Sequence, residues 1–392
     1  MNKEFASFII EYSEDDLEYI DKLIEQILIE QTKIMSFFGL KKFDNKVKIK
    51  IWNNVNKYER HVADEMHRLF HRRIEIKDWE VGRAITTKKE NYIHLLTHQE
   101  RIKRKNHERD TIEDMIKVSI HEFVHICHAQ YNNYQPTLNW FNEALATILS
   151  NQYGNKKLVL DCTLEDFLMG KTTYLRYFTL GKYVFETYGK EYILELAKNN
   201  RLLESMTPRL FNDAKKWVFK KDYQSVKNPQ ELSKFMEFIN YKWMDQNGLF
   251  HDELSPDMYK TYSLMTPDEV IENKSGICTD QVELERDWFE QHNYQYEVLN
   301  IQIWRKDTAP GHVLLIYSEN NKWYWFENAW ESYKGIHAYS TRAKLIEDVR
   351  NKFIIQNSIL ENELINLKIE SFPKYPQHFS YEDMDNYEVK RK

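Results

Sequence analysis

Hydrophobic and polar positions along this chain follow two periods, and the period changes from segment to segment. Apolar residues recur at helical spacing from Ile10 through Ile27, Leu28 and Phe37, which predicts a long amphipathic helix over 10–38. VKIKIWNN (47–54) then alternates as a half-buried strand does, and a helical run follows from about Tyr58 to Phe70. RIEIKDWEVGRAITTKKENYIHLL supplies two or three further strand-like runs. TIEDMIKVSIHEFVHICHAQ reads as one helix. Thr111 and Asp114 form a capping pair, and Ile112, Met115, Ile116, Ile120, Phe123 and Cys127 form an apolar stripe. A second helical run begins near Trp140 and carries Glu143, Leu145, Ile148 and Leu149, and helices continue to about Lys220. The polar stretch KKDYQSVKNPQE, with Pro229, reads as a boundary. Beyond it, helices near 230–247 and 279–292 precede three strands: YEVLNIQIWR, GHVLLIYSE and KWYWFENAW. From Glu361 the charged end reads as a strand and a frayed tail. The pattern therefore predicts an α+β protein of two domains, 1–225 and 226–392.

The helix over 111–130 carries chemistry on its polar flank. Residues 121–125 read HEFVH, so His121 and His125 stand at i and i+4 and project from one helical face, where they can share a metal. Glu122 lies one residue round, placed to take a proton from a water at that metal. Glu143, eighteen positions beyond His125, would be a third ligand from the next helix. Three protein ligands leave the fourth position open, as catalytic zinc requires. The competing reading is a helix with two partly buried structural histidines. His128, at i+3 from His125, fits a supporting role better than a ligand role once Glu143 is available.

HEFVH followed by WFNEALA resembles the gluzincin metallopeptidases, in particular their aminopeptidase-like branch. The resemblance implies a zincin-like mixed sheet with a helical subdomain, Zn2+ held by His121, His125 and Glu143, and Glu122 as general base and acid. It implies a peptide or protein as substrate. The helical half of that clan carries a tyrosine shortly before a glycine that helps stabilise the oxyanion. Phe178 holds the nearest spacing before Gly181, which leaves the adjacent Tyr177, and Tyr174, as candidates. Three features depart from the pattern. The gap between His125 and Glu143 is one residue short of the branch's commonest spacing, and Ala144 replaces the usual glycine. The segment that anchors a peptide N-terminus is missing, and VGRAITTKKENYIHLL there suits an edge strand able to hold a peptide backbone. An endopeptidase or a narrow processing peptidase fits this better than an aminopeptidase.

A second constellation lies in the other half. Cys278 follows Gly276 and opens the helical run from Thr279 to Phe289, so its thiol sits at the positive end of a helix, which favours thiolate. His312 lies in the apolar run GHVLLIY and could pair with it, and Glu327 or Asn328 could orient the imidazole. The bland alternative is a small buried hydrophobe. The phrases PDEVIENKSGICTD, HVLLI and WYWFE resemble the transglutaminase-like superfamily of papain-type cysteine enzymes over about 230–345. That resemblance implies an α+β domain with an antiparallel sheet, with Cys278 as nucleophile, His312 as base and Glu327 as orienting residue. The family usually has aspartate where Glu327 stands.

Composition narrows the field. Hydrophobic residues make up 42% of the 392 positions and aromatics 14%, ample material for two cores and evidence against disorder. A net charge of −6 argues against a broad nucleic-acid surface, and the basic run HQERIKRKNHER is interrupted by acids as a solvated loop would be. MGKTT (169–173) lacks the upstream glycine of a phosphate loop. Three cysteines imply no disulfide framework, and no run is apolar and long enough for a membrane span. With an acidic N-terminus lacking a signal-peptide core, the cytoplasm is the expected location. The reading is a zinc-dependent peptide hydrolase fused to a thiol domain. Its alternatives are a cysteine amidase, peptidase or transglutaminase-like enzyme with an accessory zinc domain, and a binding protein with both sites degenerate.

Overall fold

Period-two runs in the first part of the chain pair into one five-stranded mixed sheet. Strands β1 (Asn2–Glu4), β2 (Phe8–Glu11), β3 (Val47–Trp52), β4 (Gly82–Thr86) and β5 (Asn91–Leu96) lie in the order β1-β2-β3-β5-β4. The inner strands β2, β3 and β5 are parallel, and the outer strands are antiparallel to their neighbours. Alternation decides the core face, since Val47, Ile49 and Ile51 are buried and Lys48 is exposed. The computed structural model describes residues 1–391 apart from Arg73, Asn155, Pro256 and Asp307. It is an α+β protein, and the chain divides into two compact units, Met1–Val218 and Phe219–Lys392. No helix among the described residues is long and apolar enough to cross a membrane.

The helices of the first unit are α1 (Ile20–Phe38), α2 (Val55–Phe70), α3 (His98–Arg101), α4 (Ile112–Tyr131), α5 (Asn139–Leu149), α6 (Leu164–Leu168) and α7 (Tyr174–Lys198), and α8 (Asn200–Gln224) spans the division at Val218. The helix expected over 10–38 starts only at Ile20. Phe8 and Ile10 are fully buried in β2, which pairs with β3, and the Asp16 carboxylate caps the turn that follows, accepting the Ser13 N–H at 2.7 Å. Tertiary pairing here overrides a helical periodicity that Ile10 also fits. Ile74 and Ile76, expected in a strand, pack half-buried against the core without pairing.

Helix α4 begins at the expected capping box: the Thr111 N–H donates to Asp114 Oδ2 at 2.9 Å and the Asp114 N–H donates to Thr111 Oγ1 at 3.3 Å. It packs against α1, α5, β4 and β5, so Val118, Val124 and Ile126 are buried as well as the apolar stripe. Helices α5 and α7 cross closely at Gly181. A Cβ there would meet Ala144 Cβ at 2.7 Å and Ile148 Cδ1 at 2.8 Å. The bare backbone of α7 thus fits against Ala144, next to Glu143.

The second unit holds α9 (Pro229–Met236), the short strands β6 (Trp243–Met244) and β7 (Phe250–His251), α10 (Met258–Thr261), α11 (Pro267–Asn273) and α12 (Cys278–Gln291). It continues with β8 (Gln295–Ile303), β9 (Gly311–Glu319), β10 (Lys322–Glu327), β11 (Gly335–Tyr339), α13 (Arg342–Gln356), β12 (Leu367–Ser371) and α14 (Tyr381–Arg391). Its main sheet is antiparallel, in the order β11-β10-β9-β8-β12. The continuous apolar run of β9 is buried on both faces. Val313, Leu315 and Tyr317 join the cluster of α12, and Leu314 and Ile316 join that of α13.

The polar stretch before Pro229 is helical up to Gln224, and Pro229 is the first residue of α9, where a missing N–H costs nothing. Two expectations need correction. The helix expected over 230–247 stops at Met236. Asp245 Oδ1 accepts the N–H groups of Asn247 and Leu249 at 2.8 and 2.9 Å, and Gly248 has φ 79°, so the chain turns back as the β6–β7 hairpin. The tail expected to fray forms α14, whose Tyr381 stacks on the buried Tyr262 with ring centres 4.7 Å apart.

Replacing Gly181 by valine should destabilise the protein by about 1–3 kcal/mol in urea unfolding, because Ala144 Cβ is fixed to the α5 backbone and cannot turn aside. Wild-type stability in that variant would contradict the close α5–α7 crossing.

Candidate functional site

The capped start of α4 fixes its rotation, and that rotation turns His121, Glu122 and His125 toward a cleft of about 1020 Å³ in the first unit. Glu143, in the second turn of α5, reaches the same cleft. The three atoms His121 Nε2, His125 Nε2 and Glu143 Oε2 form a triangle. The nitrogens are 3.0 Å apart, and Oε2 lies 3.2 Å from the first and 3.6 Å from the second. Ligand atoms around a tetrahedral zinc with bonds of about 2.0 Å are about 3.3 Å apart, so the triangle has the size of one face of that tetrahedron. His121, Glu122 and Glu143 are each less than a tenth exposed. Glu143 Oε2 and the Nδ1 atoms of both histidines have no hydrogen-bond partner among the described residues.

Electrostatics show what holds such a cluster together. Burial alone would lower His125, but the Glu143 carboxylate outweighs it and pushes the imidazole up to about 9. Burial would raise Glu143, yet the charges of His125 and His121 hold it well below the usual carboxylate range. The cluster thus calls for positive charge at its centre, which protons or a metal ion can supply. Two neutral imidazoles and one carboxylate are a donor set that zinc accepts.

Around this triangle the cleft has a defined lining. Glu122 Oε2 accepts the Ala84 N–H of β4 at 2.6 Å. Strand β4 lies close because Gly82 has no side chain; a Cβ would meet Val118 Cγ1 at 2.8 Å and Glu122 Oε1 at 3.3 Å. Of the two tyrosine candidates, Tyr174 lies nearer the ligands, its ring 6.4 Å from that of His121. Burial, then the charges of Glu143 and Glu122, push its phenol well up, so it remains an O–H donor. The Tyr177 hydroxyl instead donates to the Phe167 carbonyl at 3.4 Å, and its ring packs on Phe167. Phe178 packs against Tyr153, a cleft residue with no motif to announce it, whose phenol is raised to about 12 by burial and by Glu143. His128 is buried, and its Nδ1 lies 3.0 Å from Asn142 Oδ1. The sequence also gave no sign of Arg83, which donates to both oxygens of Glu80 at 2.6 Å at the cleft wall.

A second cluster of metal-ligating types, His61, Glu65 and His94, lies on α2 and β5. It is already satisfied without a metal. The Trp52 indole N–H donates to His94 Nδ1 at 3.2 Å, which leaves the ring proton on Nε2, and Nε2 donates to Glu65 Oε2 at 2.7 Å. A ring in that tautomer offers a metal no lone pair on the Glu65 side.

In the second unit, Cys278 is the first residue of α12 and 8% exposed. Gly276 makes the preceding turn, where a Cβ would meet Asp280 Cβ at 2.8 Å. Asp280 Oδ2 accepts the Ile277 N–H at 3.0 Å, so the helix start is capped within two residues of the thiol. His312 Nε2 lies 2.8 Å from Glu327 Oε2, and the imidazole lies close enough to Cys278 to feel its charge. With Nε2 taken, Nδ1 is the nitrogen left for the thiol. Glu327 also accepts the Trp325 indole N–H at 3.0 Å and the Trp330 backbone N–H at 2.7 Å, which fixes its orientation. Asn328 is engaged elsewhere, donating to Gln281 Oε1 at 2.7 Å and the Met236 carbonyl at 3.0 Å. The partner of His312 is therefore Glu327. Burial would lower His312, but Glu327 and Cys278 push it up to about 10. Glu285, fully buried two turns along α12, is raised by burial and by the Glu327 charge.

No protein-family model matches the chain, and neither a curated protein nor a solved structure matches it.

The two histidine clusters make different demands, which metal analysis can separate. Chain saturated with zinc and then desalted should carry one ion, lost in Glu143→Ala and retained in His61→Ala. Two ions, or loss of the ion in His61→Ala, would contradict the tautomer argument.

Proposed function

We propose that the first unit is a zinc-dependent peptide hydrolase of the gluzincin type. One observation carries this reading: His121 Nε2, His125 Nε2 and Glu143 Oε2 converge in a cleft beside Glu122 and an open sheet edge. His121, His125 and Glu143 would hold the ion, which when bound supplies a Lewis acid for a scissile carbonyl and for the water that attacks it. Glu122 takes the proton of the attacking water and returns it to the departing amine nitrogen. Tyr174, kept protonated by its surroundings, is the side chain suited to donate to the oxygen that gains negative charge.

Strand β4 supports a peptide as substrate. It is the outer strand of its sheet, and Val81 O accepts the Leu96 N–H at 3.0 Å, so the main-chain groups of Gly82 and the Ala84 carbonyl face away from β5, while the Ala84 N–H is held by Glu122. An extended peptide can add to that edge with its backbone. No anchor for a free N-terminus accompanies the edge in the sequence, which favours cleavage within a chain.

The geometry of the second unit favours an accompanying reading, a transglutaminase-like thiol site. It rests on His312 standing between Cys278 and Glu327. The Cys278 sulfur attacks an acyl carbon, His312 passes the thiol proton to the leaving amine, and water or a second amine then releases the thioester. Glu327 holds the imidazole and stabilises its charge.

Glu122→Gln should retain zinc and lose about 10²–10⁴-fold in cleavage of a mixed peptide library. Zinc-loaded wild type that cleaves nothing would favour the binding-protein reading. In the second unit, Glu327→Gln should slow alkylation of Cys278 by iodoacetamide at neutral pH by about tenfold, because the imidazolium–thiolate pair loses its counter-charge. An unchanged rate would remove Glu327 from the site.

A further inference from the structure

We infer that Arg83 sets the substrate specificity of the first unit's cleft: it selects a peptide that carries aspartate or glutamate beside it on the edge of β4. The inference rests on the reading of this unit as a peptide hydrolase and adds to it the side chain that the peptide must present.

The register of the sheet places Arg83. It pairs with His94 of β5, so the two side chains share one face of the sheet. That face is the one covered by α2, because His94 Nε2 lies 2.7 Å from Oε2 of Glu65 on that helix. Gly82 and Ala84 present the opposite face, where a Cβ on Gly82 would meet Val118 and Glu122 of α4. A peptide laid along this outer edge must alternate in the same way. Its residues beside Gly82 and Ala84 turn their side chains toward Glu122, and the residue between them turns its side chain toward Arg83. Arg83 is hydrogen-bonded through its main chain to β5, so in antiparallel addition this is the pair without cross-strand bonds, with Cα atoms about 4.5 Å apart and side chains at their closest.

The guanidinium is held in place before any peptide arrives. Arg83 Nε donates to Glu80 Oε1 and Nη2 to Glu80 Oε2, both at 2.6 Å. Glu80 is anchored in turn, since Oε1 also accepts the Tyr58 hydroxyl of α2 at 3.3 Å and its main-chain carbonyl accepts Arg104 Nε at 3.3 Å. The pair is unequal in exposure. The Glu80 side chain is 7% exposed and that of Arg83 30%, and both border the cleft. A ligand in the cleft therefore meets the cation and not the acid that orients it. A guanidinium has five N–H donors; Glu80 takes one from Nε and one from Nη2, which leaves donors on Nη1 and Nη2 for a second carboxylate. Such bonds are charge-assisted, and a lysine or arginine at the same peptide position would meet like charge instead.

The test compares peptides within one enzyme preparation. The zinc-loaded full chain is given a mixed-sequence peptide library, and the products are sequenced to find the position near the cut at which Asp or Glu is enriched. Two peptides that differ only in Glu or Gln at that position then give a ratio of kcat/KM, which does not depend on how much of the preparation is folded. The Glu peptide should be preferred about tenfold, the low end of what hydrogen bonds to a charged group supply. The double variant Glu80→Gln, Arg83→Met removes the cation without leaving a buried carboxylate unpaired, and it should bring the ratio to about one. Arg83→Lys, which keeps a cation beside Glu80, should retain part of the preference; its complete loss there would count against selection by charge. Wild type that cleaves peptides with no acidic preference overturns the inference and leaves the hydrolase reading standing, and a preference that survives in the double variant overturns it as well. Zinc-loaded wild type that cleaves no peptide removes the hydrolase reading, and the inference falls with it.

Discussion

The constraint on which the first unit turns is the convergence of three buried donor atoms from two helices. Three atoms of His121, His125 and Glu143 are packed within 3.6 Å of one another, and among the described residues none of the three side chains carries a compensating cation from the protein itself. Bringing such groups together costs desolvation, and the cost is offset only if positive charge is bound at their centre. The surrounding fold serves that arrangement. The capping box at Thr111 sets the phase of α4, Gly181 lets α7 close on α5 beside Glu143, and Gly82 lets the edge strand lie against Glu122. Each is a local device whose effect is read at the site.

The second unit uses comparable means for different chemistry. A helix start supplies the reactive group, a glycine makes the turn before it, and strand residues supply its partners. Glu327 accepts from His312, Trp325 and Trp330 at once, so the histidine is oriented by a carboxylate that cannot itself rotate. Asn328, one residue on, ties the end of β10 to Gln281 on α12 and to Met236 on α9. The adjacent acid and amide thus divide the work, one serving the imidazole and the other the packing of the unit.

Much of the α+β architecture was legible because the helices and strands near the sites keep clean periods and explicit caps. The meeting of His121, His125 and Glu143 was legible because i, i+4 spacing on a capped helix is a geometric statement, and Glu143 stands in the second turn of the next helix. Less could be read where contacts between distant segments decide. Ile10 fits a helical stripe but pairs with β3, and residues 238–247 lack helix breakers apart from an Asp245 turn that shows only in its hydrogen bonds. Tyr153 and Arg83 carry no local signal at all, and they reach the cleft by topology. Choosing between Tyr174 and Tyr177, or between Glu327 and Asn328, likewise required side-chain direction, which spacing alone does not give.

The most direct test of the central claim is X-ray absorption at the zinc edge on the zinc-loaded full chain. The account predicts a first shell of nitrogen and oxygen at about 2.0–2.1 Å with the outer-shell scattering of two imidazoles. Sulfur in the first shell, or a shell without imidazole scattering, would contradict it.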